Sequence, residues 1–165
     1  MVTVVFACQS DDDFIFTENS FFGTRAGQAV DGLATLNSIS NDDDTLGRLR
    51  FRNELPDGIS EVIFIYQVPL RVGTHQIYPS VQTGQSLATD TLHVTSQASH
   101  ESQSIGGFLI TELDPANVLT VDSYEAGRMR GHVAFTARSA TYPGYESVLP
   151  DTLLIDYTFD VQLDE

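Results

Sequence analysis

Three arginines alternate along one short segment and could bind an anion. Arg48, Arg50 and Arg52 are separated by Leu49 and Phe51. Alternate residues of a β-strand share one face, so neighbouring guanidinium groups would lie about 7 Å apart. Guanidinium groups bind oxyanions in a bidentate manner, which suits a sulfated or uronic sugar. The alternative is cross-strand pairing with carboxylates, and the acidic surroundings favour it.

Two tyrosines form a second candidate for ligand binding. Tyr142 and Tyr145 enclose Pro143-Gly144, a sequence typical of turns. Carbohydrate-binding modules present flat aromatic rings at such exposed positions, because the ring packs while its hydroxyl stays wet. The alternative is that the two rings only cover an edge of the fold.

An acidic run supplies weak candidates for a calcium site, namely Asp42, Asp43 and Asp44. Calcium takes oxygen ligands from loops. The twelfth position counted from Asp42 is Asn53 rather than glutamate, so the run departs from the EF-hand pattern. A solvated acidic loop is the favoured interpretation, and no metal or other cofactor is predicted.

Four histidines, His75, His93, His100 and His132, are spread along the chain. No GxSxG nucleophile motif accompanies them. A catalytic triad is recognised by its geometry, which a sequence does not supply. The chain is therefore predicted to be non-enzymatic, with an extracytoplasmic hydrolase kept as an alternative.

The C-terminal segment gives the clearest structural signal. Every second residue between 153 and 163 is apolar, and the residues between them, which include Asp156 and Asp160, are polar with the sole exception of Leu154. This period of two is typical of a strand with one buried and one solvated face. A helix would scatter the same apolar residues around its circumference.

Other segments extend the β pattern. Residues 48–52, 91–95 and 132–138 alternate in the same way, whereas residues 61–66 are, apart from Glu61, apolar without alternation. An unbroken apolar run of that length indicates a strand buried on both faces. Turn residues separate these segments, so we predict a single antiparallel β-sandwich with little or no helix.

Several connecting segments are also predicted. Residues 37–45 and 95–104 are polar, which indicates a loop and a mobile connection. Gly106-Gly107 is typical of a turn. Residues 114–117 could form one turn of helix, because proline is tolerated there.

The charge balance narrows the choice of partners. Eight arginines, no lysine and 23 acidic residues give a net charge of -15. This balance disfavours nucleic acid and direct adsorption to an anionic membrane, since both need basic side chains. The lack of lysine and the excess of Asp over Glu resemble halophilic proteins. A small acidic secreted domain is the alternative.

The only cysteine lies where a bacterial lipoprotein carries its lipid. Val5-Phe6-Ala7-Cys8 resembles a lipobox, in which the cysteine thiol takes a diacylglyceryl group. Gln9-Ser10-Asp11-Asp12-Asp13 resembles the surface-export signal of Bacteroidota lipoproteins. We therefore predict a truncated signal, a lipobox and an acidic linker over residues 1–13. A first β-strand with a buried thiol at Cys8 is the alternative.

The order of features resembles a family of small β-sandwich lipoproteins of Bacteroidota whose function is unknown. The resemblance rests on residues 73–78 (GTHQIY), 107–114 (GFLITELD), 118–124 (VLTVDSY) and 131–137 (GHVAFTA). It covers residues 14–165, which we predict to be one β-sandwich domain. It implies an outer-membrane or cell-surface location, and it carries over no functional residues.

Together these features predict a lipid-anchored cell-envelope protein that acts as a non-enzymatic binding or structural module. Its expected partners are the membrane, through a lipid anchor on Cys8, and an extracellular glycan or protein. A carbohydrate-binding accessory domain or a hydrolase is the alternative. No apolar run approaches the roughly 20 residues that a membrane-spanning helix needs.

Overall fold

The computed structural model describes residues 19–39, 45–55, 58–80, 91–141 and 149–164. These residues form ten β-strands and contain no α-helix, which confirms the predicted all-β class. The strands are β1 (Ser20–Arg25), β2 (Gln28–Ser38), β3 (Leu46–Leu55), β4 (Ile59–Pro69), β5 (Gly73–Gln76), β6 (His93–His100), β7 (Gln103–Leu109), β8 (Val118–Glu125), β9 (Arg128–Thr141) and β10 (Thr152–Asp164). Within the described ranges, no helix is long and apolar enough to cross a membrane.

All ten strands belong to one hydrogen-bonded sheet. Antiparallel pairing runs through β2, β3, β4, β6, β7, β9 and β10, and β1 joins β10 back to β2. Eight strands therefore form a closed cycle of pairings. A two-residue parallel contact, in which Leu163 meets Leu36 and Asp164 meets Asn37, adds to the closure. The finer description as a two-layered sandwich stays a prediction.

Strand β9 connects the cycle to the remaining strands. Along one side it pairs with β10. Along the other side its first half pairs with β8 and its last residues pair with β7. Strand β5 extends the sheet beyond β8. The predicted C-terminal strand is confirmed as β10, which contributes to the cycle along most of its length.

Three hairpins turn through two residues with positive φ angles. These pairs are Ala26-Gly27, Glu101-Ser102 and Ala126-Gly127. Left-handed backbone at both positions matches the twist of the flanking strands. The prediction of a mobile connection over residues 95–104 is wrong, because backbone pairing between β6 and β7 orders this polar segment, in which Ala98 alone is apolar and buried.

Gly106-Gly107 lies inside β7, so the predicted turn at this position is also wrong. A Cβ atom at Gly107 would stand 2.0 Å from the backbone oxygen of Ser96 on β6. Glycine is required here because two backbones approach more closely than a side chain permits.

The segment from Asp114 to Asn117 forms a turn and not the predicted turn of helix. The Asp114 side chain accepts a hydrogen bond of 2.9 Å from the backbone N–H of Ala116. The backbone oxygen of Asp114 accepts another, of 3.0 Å, from the N–H of Asn117. An aspartate that bonds its own backbone two residues on favours a turn over a helix. The predicted loop over 37–45 starts later than expected, since β2 includes Asn37 and Ser38.

The core is apolar, with an aromatic cluster from β1, β3 and β10. Phe21 lies 4.6 Å from Tyr157 and 5.1 Å from Phe51 between ring centroids. Phe51 in turn lies 5.8 Å from Phe159. Tilted and edge-to-face contacts at these distances are the favoured geometry for aromatic pairs. They join strands that lie at different positions in the cycle.

Strand β4 departs from the prediction that it is buried on both faces. Glu61, Ile63 and Ile65 are fully buried. Phe64 and Tyr66, which alternate with them, are only half-buried. The outward face of β4 therefore presents aromatic side chains to the surface.

We expect Gly107→Ala to destabilise the fold by about 3 kcal/mol, because the new methyl group overlaps a backbone oxygen. The matched control is Gly27→Ala, where a Cβ would meet nothing within 4 Å although φ is +78°. Left-handed strain alone should cost about 1 kcal/mol there. Urea denaturation of both variants measures the free energy of unfolding. Equal losses would show that crowding at Gly107 is not the determining factor.

Candidate functional site

Strands β3 and β4 place two arginines against one aromatic ring. The guanidinium carbon of Arg50 lies 5.8 Å from the centroid of the Phe64 ring, and that of Arg48 lies 6.0 Å from it. Arg50 is directly opposite Phe64 in the strand register. Cations at this distance are attracted by the ring quadrupole. The Phe64 ring therefore holds both guanidinium groups on the outward face of the sheet.

The aromatic side chains continue from Phe64 across the sheet. Tyr66 stacks on Phe64 at a centroid distance of 6.0 Å, and His93 on the neighbouring strand β6 stacks on Tyr66 at 5.0 Å. The Nδ1 atom of His93 lies 2.8 Å from the backbone oxygen of Thr91. We call Arg48, Arg50, Phe64, Tyr66 and His93 the arginine–aromatic surface.

A depression of about 500 Å³ adjoins Phe64 and Tyr66. Its other lining residues include Thr95, Ser96, Gln97, Ser104, Gly106, Gly107 and Leu109. Because glycine has no side chain, β7 leaves room beside the aromatic rings. Hydroxyl and amide groups lie next to apolar surface here, which is a combination typical of ligand sites.

The arginine–aromatic surface is cationic in an acidic protein. Among the described residues, neither Arg48 nor Arg50 forms an ion pair with a carboxylate. The buried Nε atom of Arg50 also has no hydrogen-bond partner in this part of the chain. Arg52 differs, since it bonds Glu54 on its own strand at 2.9 Å. The arrangement can bind an anion through two guanidinium groups.

The predicted common face of the three arginines is present, because Leu49, Phe51 and Asn53 between and beyond them point into the core. The alternative was that these arginines pair with carboxylates on the neighbouring strands. Among the described residues, no such cross-strand pair is found for them. Arg50 faces Thr35 on β2 and Phe64 on β4. Within the described part of the chain, the one carboxylate that these three arginines bind is that of Glu54.

Sequence reasoning missed the aromatic part of the surface. It assigned residues 61–66 to a strand buried on both faces, so Phe64 and Tyr66 were expected inside. The available signal was the turn sequence Pro56-Asp57-Gly58. Counting outward along a hairpin centred on Asp57 brings Arg50 opposite Phe64, which is the observed register.

A second polar group, Arg25, Asn53, Glu61 and Tyr157, lies in the interior. Arg25 donates two hydrogen bonds to Glu61, of 2.8 and 2.9 Å. The Asn53 amide donates to Glu61 at 3.2 Å and to the Tyr157 hydroxyl at 2.9 Å. Neither Glu61 nor Tyr157 is exposed to solvent. We assign this group to the stability of the fold, because a ligand has no access to these atoms.

Two pKa values reflect this buried group. Burial lowers the pKa of Arg25, but the hydrogen bonds and charge of Glu61 outweigh it, and the net pKa lies above the usual value. Burial, followed by the negative charge of Glu61, raises the pKa of Tyr157 well above its usual value. The Arg25 guanidinium thus stays charged and the Tyr157 hydroxyl stays neutral at physiological pH.

The histidines lie on three strands. His75 is on β5, His93 and His100 are on β6, and His132 is on β9. His132 Nε2 lies 2.7 Å from the Asp156 carboxylate, but the two side chains are 37% and 61% exposed. Water at both groups weakens their mutual influence. This pair gives no specific support to the hydrolase alternative.

Asp160 was expected on the solvated face of β10, yet its side chain is only 1% exposed. Arg128 covers it with two hydrogen bonds, of 2.6 and 2.9 Å, and Arg130 adds a third, of 2.8 Å. Burial raises the pKa of Asp160, but the hydrogen bonds and charges of both arginines outweigh it and hold the pKa below its usual value.

Several predicted site residues lie outside the described ranges. These are Cys8, Asp42, Asp43, Asp44, Tyr142 and Tyr145. Their proposed roles in lipid attachment, calcium binding and sugar binding stay predictions. Among the residues that the structure does describe, no group of three or more His, Cys, Asp or Glu side chains could hold a metal ion.

Comparisons of the chain with known protein families, curated proteins and solved structures found no match. The resemblance to Bacteroidota lipoproteins therefore stays a prediction. The interpretation of the site rests on its geometry and charge.

We expect Asp160→Asn to lower the free energy of unfolding at pH 7 by about 2 kcal/mol, through the loss of charged hydrogen bonds. A depressed folded-state pKa means that this stabilisation is present above the unfolded value of about 3.9. It is lost as the pH falls through the folded pKa. Urea denaturation at neutral and acidic pH should therefore show a wild-type advantage that shrinks under acid.

Asp156→Asn is the matched control on the same strand, since its carboxylate also contacts a nitrogen-bearing side chain on β9, that of His132, but is exposed. It should cost less than about 1 kcal/mol. An Asp160 effect that persists unchanged in acid, or one no larger than that of Asp156, would contradict the assignment.

Proposed function

We propose that the protein is a lipid-anchored, non-enzymatic binding module of the cell envelope, and that the arginine–aromatic surface binds its anionic ligand. The proposal is supported above all by the surroundings of Arg48 and Arg50. They share one aromatic ring and, within the described chain, have no carboxylate partner.

Arg71 and Arg138 also have no carboxylate partner among the described residues, but only Arg48 and Arg50 share one aromatic ring there. Arg25, Arg52, Arg128 and Arg130 each bind a carboxylate. With 23 acidic residues against eight arginines, carboxylate partners are abundant. Two guanidinium groups beside one ring, with no carboxylate partner among the described residues, repel each other, and a bound anion would offset that repulsion. This supports a binding role over a purely structural one.

The environment of Arg50 adds specificity. It is half-buried, so its charge is less screened than that of a fully exposed side chain. Guanidinium groups match carboxylates and related oxyanions in a bidentate geometry. An anion at this position would meet Arg48 and Arg50 on one side and the depression on the other.

The lipid anchor is the second part of the proposal. Ten residues separate Cys8 from the first described residue, Asn19, and the first five of them, Gln9 to Asp13, are polar and acidic. A diacylglyceryl group on Cys8 would attach the β domain to the outer membrane and leave the sheet face in contact with extracellular molecules. Insertion of the acyl chains would offset the charge repulsion that a chain of net charge -15 meets at an anionic membrane.

We expect the folded protein to bind dextran sulfate and not neutral dextran, and Arg50→Gln to weaken this binding about tenfold, equivalent to about 1.4 kcal/mol. Isothermal titration calorimetry at fixed ionic strength measures the Kd. Arg52→Gln is the matched control, because it removes the same charge from the same strand and face but from an arginine already paired with Glu54. Absence of dextran sulfate binding, or equal losses in the two variants, would overturn the proposed surface.

The anchor is tested separately by the intact mass of the protein purified from its native membranes. We expect a chain that begins at Cys8 and carries a diacylglyceryl group. Cys8→Ser should abolish the mass addition and release the protein from the membrane fraction. An unmodified chain that retains the residues before Cys8 would overturn the anchor and leave the binding surface to be judged by titration alone.

A further inference from the structure

We infer that the ligand of the arginine–aromatic surface is an acidic glycan with a uronate unit, whose carboxylate binds Arg48 and Arg50 while the sugar ring occupies the adjoining depression. This inference rests on the proposed function and specifies its ligand class. It draws on three properties of the site: the spacing of cations and rings, the chemistry of the lining, and the backbone of the strands beneath.

The charged and apolar groups lie close enough for one sugar unit to contact both. Both guanidinium carbons lie within 6.0 Å of the Phe64 ring centroid. A uronate carries its carboxylate directly on the pyranose ring. A sugar packed beside Phe64 would thus hold its acid within reach of Arg48 or Arg50.

The lining of the depression combines apolar and polar groups, and a sugar ring likewise presents both C–H groups and hydroxyl groups. Phe64 and Tyr66 provide apolar contact for ring C–H groups. Thr95, Gln97 and Ser104 provide hydroxyl and amide groups that can donate to and accept from sugar hydroxyls. The volume of about 500 Å³ accommodates a small ligand unit and is within the range typical of such sites.

The pairing of the strands beneath the surface disfavours an acidic peptide as the ligand. Extended peptides bind by adding a strand to a free sheet edge. Strand β3 is paired with β2 and β4, β4 with β3 and β6, and β6 with β4 and β7. The backbone groups beneath the two arginines and Phe64 are therefore used within the sheet. A ligand must be recognised by side chains, which suits the many hydroxyls of a glycan better than a peptide backbone.

Three probes are titrated into the wild-type protein by isothermal titration calorimetry, all at one ionic strength. They are a galacturonate oligosaccharide, an oligoglutamate with the same number of carboxylates, and a neutral galactose oligosaccharide. We expect the galacturonate oligosaccharide to bind at least about tenfold more tightly than either control, equivalent to about 1.4 kcal/mol.

Two variants connect the preference to the site. Phe64→Leu keeps an apolar side chain but removes the ring, and it should reduce galacturonate binding about tenfold. Arg50→Gln should reduce it by a similar factor, while Arg52→Gln should change it less than about twofold. Thermal unfolding of each variant confirms that it is folded before titration.

Each outcome has a defined meaning. Equal binding of oligoglutamate shows that charge alone is recognised, and equal binding of the neutral sugar shows that the acid is not needed; either overturns the inference. Binding of dextran sulfate without galacturonate also overturns it but leaves the proposed function intact. If neither dextran sulfate nor the galacturonate oligosaccharide binds, the proposed function is overturned as well.

Discussion

The bidentate ion pair between Arg25 and Glu61 is the interaction on which the rest of the described structure depends. It joins β1 to β4, two strands that do not pair with each other, across a mainly apolar interior. Removing one member of a buried pair is strongly destabilising, because it leaves an uncompensated charge in a medium of low polarity. The Asn53 amide donates to Glu61 and to the Tyr157 hydroxyl, so β3 and β10 are joined to the same polar group.

This ion pair also determines which residues reach the surface. Side chains alternate along a strand, so a shift of one residue would turn every side chain of β4 to the opposite face. Glu61 held inward by Arg25 places Ile63 and Ile65 in the core and Phe64 on the outside. The arginines of β3 follow from the same register. The buried Arg25–Glu61 pair thus fixes the strand register that places the candidate site on the outward face.

The sequence contains enough information for the class of fold and for part of the site. The period of two over residues 153–163 predicted β10, and the spacing of Arg48, Arg50 and Arg52 predicted their common face. The sequence does not predict that Glu61 and Asp160 are buried. Neither the apolar run around Glu61 nor the alternation around Asp160 indicates which arginine pairs with the carboxylate. Glu61 and Asp160 are buried by arginines that lie more than 25 residues away in the chain.

The distribution of charge sets how a ligand would be held. At net charge -15 the long-range field repels polyanions, so approach to the surface is slowed and not assisted. Affinity must then come from contacts made within a few ångströms, namely the guanidinium groups of Arg48 and Arg50 and the Phe64 ring. Added salt screens the long-range repulsion and also weakens the ion pairs. These two effects oppose each other, which distinguishes this surface from a basic patch, where salt only weakens the binding of a polyanion.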